Sequence, residues 1–172
     1  MRTLHNIDLK NNERGFTLRW QDRLILSHSE EAPCMWIGAG EADIEMFRGN
    51  FSIKDKLNEK IALTDATVTQ QSAGWAIRFT RGDAVSATLL VGVDAEGRLE
   101  LKLKNDAPGH NRIWLRLAAQ PEDHIYGCGE QFSYFDLRGK PFPLWTSEQG
   151  VGRNKQTYVT WQADCKENAG GD

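Results

Sequence analysis

The chain has no run of lysine or arginine, no long apolar stretch and only three cysteines among its 172 residues. Each shortage excludes something. With basic residues dispersed, a formal net charge of -3 and a pI near 5.8, there is no electrostatic footprint for nucleic acid or for an anionic membrane surface. The start, Met1-Arg2-Thr3-Leu4-His5-Asn6, turns polar at once and has no apolar h-region behind its one basic residue. No export signal or membrane anchor is expected. Cys34, Cys128 and Cys165 lie far apart with no Cys-x-x-Cys arrangement, which argues against a disulfide framework and against a zinc site. A reducing cytoplasm is the expected compartment, and neither metal nor cofactor is expected.

Helical periodicity is also scarce. Only residues 55–62 have a composition compatible with a short helix, and Leu57, Ile61 and Ala62 are too few to make an apolar stripe. Period-two alternation, which turns one face of a strand toward a core, recurs instead at 16–20, 23–26, 42–47, 51–54, 66–69, 75–80, 85–93, 99–103 and 112–117. Turn chemistry separates these runs at Gln21-Asp22, Ser72-Ala73-Gly74, Arg81-Gly82-Asp83 and Asp94-Ala95-Glu96-Gly97. Many short strands between turns predict an antiparallel β-sandwich, with 172 residues counted as a single domain. Trp20, Trp75 and Trp114 fall in strand patterns and are expected in the core.

Residues 126–153 break the pattern. Tyr126-Gly127-Cys128-Gly129-Glu130-Gln131-Phe132 leads through Tyr134-Phe135-Asp136-Leu137-Arg138-Gly139-Lys140 to Pro141-Phe142-Pro143-Leu144-Trp145, a Gly- and Pro-punctuated loop with charged and amide groups set among aromatics. Glycines permit close approach of backbone, Glu130 offers two acceptor oxygens, and Tyr134, Phe135 and Trp145 offer flat faces on which sugar rings stack. Carbohydrate is the ligand class that fits.

The element Tyr126-Gly127-Cys128-Gly129-Glu130 resembles a signature in the N-terminal β-domain of family 31 glycoside hydrolases, with Cys128 where most of that family has an aliphatic residue. The continuation from Gln131 to Lys140 and the run Thr146-Ser147-Glu148-Gln149-Gly150-Val151-Gly152-Arg153 resemble the bacterial sulfoquinovosidase branch. The resemblance implies a galactose-mutarotase-like sandwich that precedes a catalytic (β/α)8 barrel, the barrel being expected after residue 172. It further implies a retaining α-glycosidase that releases sulfoquinovose from α-sulfoquinovosides, with both catalytic aspartates on the barrel. No catalytic residue is then expected in this chain, which alone should be inert. Glu130, Gln131 and Arg138 resemble groups that touch the sugar or brace the loop that does, and Arg153 is a weaker candidate. The barrel of the same polypeptide and the α-glycoside substrate are the implied partners, with no nucleic acid and no membrane.

The other candidates carry blander readings. Asp43 and Glu45 share a strand face, which is also how a solvated face looks. The four histidines His5, His28, His110 and His124 are scattered, so structural roles are expected. A stand-alone carbohydrate-binding or mutarotase-like module is the alternative, in which His28 or His124 would work with Glu130 across a sugar ring.

Overall fold

The structure, a computed structural model, describes residues 7–12, 15–47, 50–82, 85–127 and 134–140. Among them every regular element is a strand: β1 (Ile7–Asn12), β2 (Gly15–Trp20), β3 (Arg23–Ser29), β4 (Met35–Phe47), β5 (Asn50–Ala62), β6 (Asp65–Gln71), β7 (Gly74–Arg81), β8 (Val85–Val93), β9 (Leu99–Asn105) and β10 (Arg112–Leu115). Three sheets result, in the orders β1-β2-β3, β10-β4-β5 and β6-β7-β8-β9. The paired registers are antiparallel. This is the all-β, antiparallel sandwich that the alternation predicts.

The chain divides into two compact units, one of Met1–Gly40 with Leu57–Ala119 and one of Glu41–Lys56 with Gln120–Asp172. The first holds the hydrophobic core. Phe16, Leu18 and Leu26 from the first sheet, Met35 and Ile37 from the second, and Ile77, Phe79, Ala87, Leu89 and Val91 from the third are buried together with Cys34 and Leu63. Burying side chains of this size contributes roughly 1.5–3 kcal/mol each. The alternation is visible in β2, where Phe16 and Leu18 are buried and Arg19 is exposed, and in β9, where Leu99 and Leu101 pack on the core while Lys102 and Lys104 face water.

Turns and close approaches explain the sequence between strands. Gln21 and Asp22 both have positive φ, 48° and 64°, the left-handed pair that a two-residue hairpin needs. Asp94 closes the β8–β9 turn by accepting from the Glu96 and Arg98 amides through Oδ1 and from Arg98 Nε through Oδ2 at 2.7 Å. Those bonds hold its carboxyl below the usual range, led by the Arg98 amide. A Cβ on Gly15 or Gly74 would lie 1.9 Å from a carbonyl oxygen, of His28 and of Val91 respectively, so neither position admits a side chain.

Three details differ from the sequence reading. Residues 55–62 form part of β5, and Lys54 to Lys60 are exposed on both faces, so no apolar alternation marks the strand. Trp20 and Trp75 sit at the margin of the core, each half-buried against it. Trp114 is outside the core: it lies directly opposite Trp36 across the β10–β4 ladder, with the Lys60 ammonium 4.6 Å from its ring and 5.4 Å from that of Trp36. Arg116 covers Trp36 at 5.3 Å. A Cβ at Gly38 would lie 2.3 Å from the Glu59 carbonyl oxygen and about 3 Å from the Trp114 ring, so the glycine makes room first for the backbone of β5 and then for the indole.

Candidate functional site

The second unit contains residues 120–127, which lead into the loop, and residues 134–140 within it; these two segments run past each other and are joined by backbone and side-chain bonds. The Leu137 amide donates to the Ile125 carbonyl at 2.8 Å. Asp136 does more. One carboxylate oxygen accepts the Ile125 amide at 3.1 Å and the Arg138 amide at 3.0 Å, and the other lies 2.7 Å from His124 Nδ1. The His124 bond first, then the two amides, depress the Asp136 pKa to about 2. Three donors around one carboxylate favour its charged form, so it stays ionised at any physiological pH.

Arg138 closes the base of the loop. Its Nη1 donates to the carbonyls of Gln120 at 2.6 Å and Asp123 at 2.9 Å, while the Asp123 carboxylate accepts the Gln120 amide at 2.8 Å. A guanidinium suits this task because its planar fork can serve two carbonyls without being deprotonated. Gly139, with φ of 67°, and Gly127, with φ of 98°, supply the left-handed turns at which the two segments leave the pairing.

Aromatics are displayed on this frame. Tyr126 is stacked on the His124 imidazole, centroids 5.9 Å apart and planes within 19°, and Phe135 meets Tyr126 at 5.0 Å. Phe135 is 88% exposed and Tyr126 56%. Lys140 sits 4.7 Å from the Tyr134 ring. The two rings form a small exposed aromatic surface on this frame.

Of the residues expected to serve the sugar, Arg138 is placed as described, whereas Glu130 and Gln131 lie outside the described residues, as do Trp145 and Arg153. Asp136 escaped the sequence reading: it stood in the quoted run as one polar residue among many. The available signal was its position between two aromatic residues and a glycine-bounded arginine. The sequence offers His124 as a scattered histidine or, in the stand-alone alternative, as a partner of Glu130, and neither reading anticipates its bond to Asp136. His28 is no candidate acid or base, since it is buried in the sandwich with Nε2 bonded to the Thr64 carbonyl and Nδ1 accepting the Cys34 amide. Asp43 and Glu45 are exposed. Among the described residues no group of three His, Cys, Asp or Glu side chains converges as a metal site would require.

Residues 7–161 match the family described as the glycosyl hydrolase 31 N-terminal galactose mutarotase-like domain. The chain belongs to this family. Relatives of this family 31 domain include the sulfoquinovosidase of Escherichia coli strain K12, 76% identical over 161 residues that make up 94% of this chain and 24% of that protein. The sulfoquinovosidase of Agrobacterium fabrum is 42% identical over 165 residues, 92% of this chain and 23% of that protein. Among solved structures, a family 31 sulfoquinovosidase from E. rectale in complex with an aza-sugar inhibitor aligns with a TM-score of 0.70 and 41% identity over 96% of this chain and 24% of that one. The chain therefore spans about a quarter of the length of the relatives it matches.

Proposed function

We propose that this chain is the N-terminal domain of a retaining α-glycosidase that hydrolyses α-sulfoquinovosides to sulfoquinovose in the cytoplasm. The observation that carries the reading is the 76% identity to a sulfoquinovosidase over nearly the whole chain. The chemistry belongs to a barrel carried by the same polypeptide, where one aspartate attacks the anomeric carbon and another protonates the leaving oxygen. This domain contributes the loop. Glu130 and Gln131 contact sugar hydroxyls, and Arg138, whose Nη1 already serves two carbonyls, braces the chain that carries them. The exposed Tyr126 and Phe135 complete that surface.

The test is hydrolysis of an aryl α-sulfoquinovoside by the longer polypeptide, beside the corresponding aryl α-glucoside and beside the 172-residue chain alone. Expected are cleavage of the sulfonated substrate with strong preference and no turnover by the short chain. Equal or better cleavage of the plain glucoside by the longer polypeptide, or turnover by the short chain, would refute the reading.

A further inference from the structure

The aromatic pair is indexed by a chain of contacts that begins at one carboxylate. Asp136 holds His124 through Nδ1 at 2.7 Å, His124 stacks on Tyr126, and Tyr126 packs against Phe135, the residue next to Asp136. The same carboxylate accepts the amides of Ile125 and Arg138, which flank the aromatic residues in sequence. Both strings of backbone that present the rings are thus fastened to one side chain. Leu137, between Asp136 and Arg138, is buried at 2% exposure while Phe135, on the other side of Asp136, projects into water.

We infer that Asp136 is the positioning residue of this surface, fixing through His124 and two amides the Tyr126–Phe135 pair as a preformed platform for the apolar face of a pyranoside. The inference rests on the sugar-handling role proposed above and deepens it. Pyranose rings carry a face of C–H groups that stack on aromatic rings, and an orientation set in advance lowers the cost of binding. Rigidly held rings serve this better than free ones. The Asp136 carboxylate acts here as an acceptor of three hydrogen bonds, and its charge matters only through them.

That distinction gives the experiment. In the longer polypeptide, Asp136→Ala removes all three acceptor contacts, while Asp136→Asn keeps one oxygen for the two amides and offers its NH2 to His124, which accepts it by moving its own proton to Nε2. Expected are a KM for the aryl α-sulfoquinovoside raised about tenfold in Asp136→Ala with kcat changed less than about threefold, and near-native constants in Asp136→Asn. Phe135→Ala should raise KM similarly without lowering the melting temperature. Hydrogen exchange, followed by mass spectrometry on the same preparations, should show faster exchange over 120–127 and 134–140 in Asp136→Ala and native protection in Asp136→Asn.

Unchanged KM in Asp136→Ala, or equal loss in Asp136→Asn, would overturn the inference. So would a Phe135→Ala variant that loses thermal stability at native KM, which would mean that the ring is packed against the rest of the polypeptide instead of meeting sugar. A wild type without activity on any sulfoquinovoside would sink the proposed function, and the exchange comparison would still decide whether Asp136 fastens the loop.

Discussion

Two aromatic rings and two backbone groups close around His28. Its imidazole is stacked on Phe16, centroids 5.5 Å apart, and meets Phe79 edge-on at 5.2 Å. Nε2–H donates to the Thr64 carbonyl at 3.0 Å, and Nδ1 accepts the Cys34 amide at 3.3 Å, so the neutral tautomer satisfies both backbone groups. His28→Ala would leave that carbonyl and amide unpaired and open a cavity, at a cost of about 2–4 kcal/mol by denaturant unfolding. Acid acts on the same point. Burial lowers the His28 pKa from 6.5, against weaker raising effects of the Thr64 carbonyl and Asp65. The unfolded chain therefore takes up the proton first as pH falls. Stability contributed by the neutral ring is complete above 6.5 and declines below it, so melting temperature should drop between pH 7 and pH 5 in the wild type and less steeply in His28→Ala. At the loop, Glu130→Gln in the longer polypeptide should lower kcat/KM roughly ten- to a hundred-fold with little change in melting temperature.

At the scale of elements, β2 and β7 open with the same device. Gly15 and Gly74, with φ of 156° and 152°, bring the start of each strand against a carbonyl of the partner. Gly82 has φ of 61° but nothing within 4 Å of an added Cβ. Gly74→Ala should therefore cost well above 2 kcal/mol, roughly, since backbone must move, whereas Gly82→Ala costs only the left-handed strain of about 1 kcal/mol. Paired denaturant melts of the two variants test the ranking. The strands most legible in the sequence, β2, β3, β7, β8 and β9, are those with one face in the core, because burial imposes alternation. β1 went unmarked, although Ile7 and Leu9 pack on the core, because Asp8, Lys10, Asn11 and Asn12 dominate its composition. In β5 the sequence from Lys54 to Lys60 answers to water on both sides, and its lysine, glutamate and leucine content mimics a helix former. Pattern reports burial, and where burial ends the pattern ends with it.

For the whole molecule, the sandwich was readable from alternation, whereas the arrangement of the loop was not. Glycines, aromatics and Arg138 announced a site, yet nothing local announced that Asp136 would gather His124 and the Ile125 amide from twelve and eleven residues away. Such contacts depend on how two segments pass each other, which no single-strand period encodes. The exposed Ile125, Tyr126 and Phe135 bear on behaviour in solution as well. The 172-residue chain should self-associate at high concentration, and Phe135→Ser should reduce this without altering its circular dichroism. Sedimentation of the two proteins at matched concentrations would show it, and equal association would point to another surface.

Cys34 has no solvent exposure, and burial pushes its thiol pKa up to about 11. Only a thiolate attacks thiol-specific reagents, so the folded interior protects this sulfur twice, by access and by protonation. Once Cys128 and Cys165 are replaced by serine, the labelling rate of Cys34 becomes a clock for the opening of the sandwich. Because the sulfur adjoins His28 at 3.6 Å, that clock should run faster as the solution is made mildly acidic, after correction for the reagent's own pH dependence.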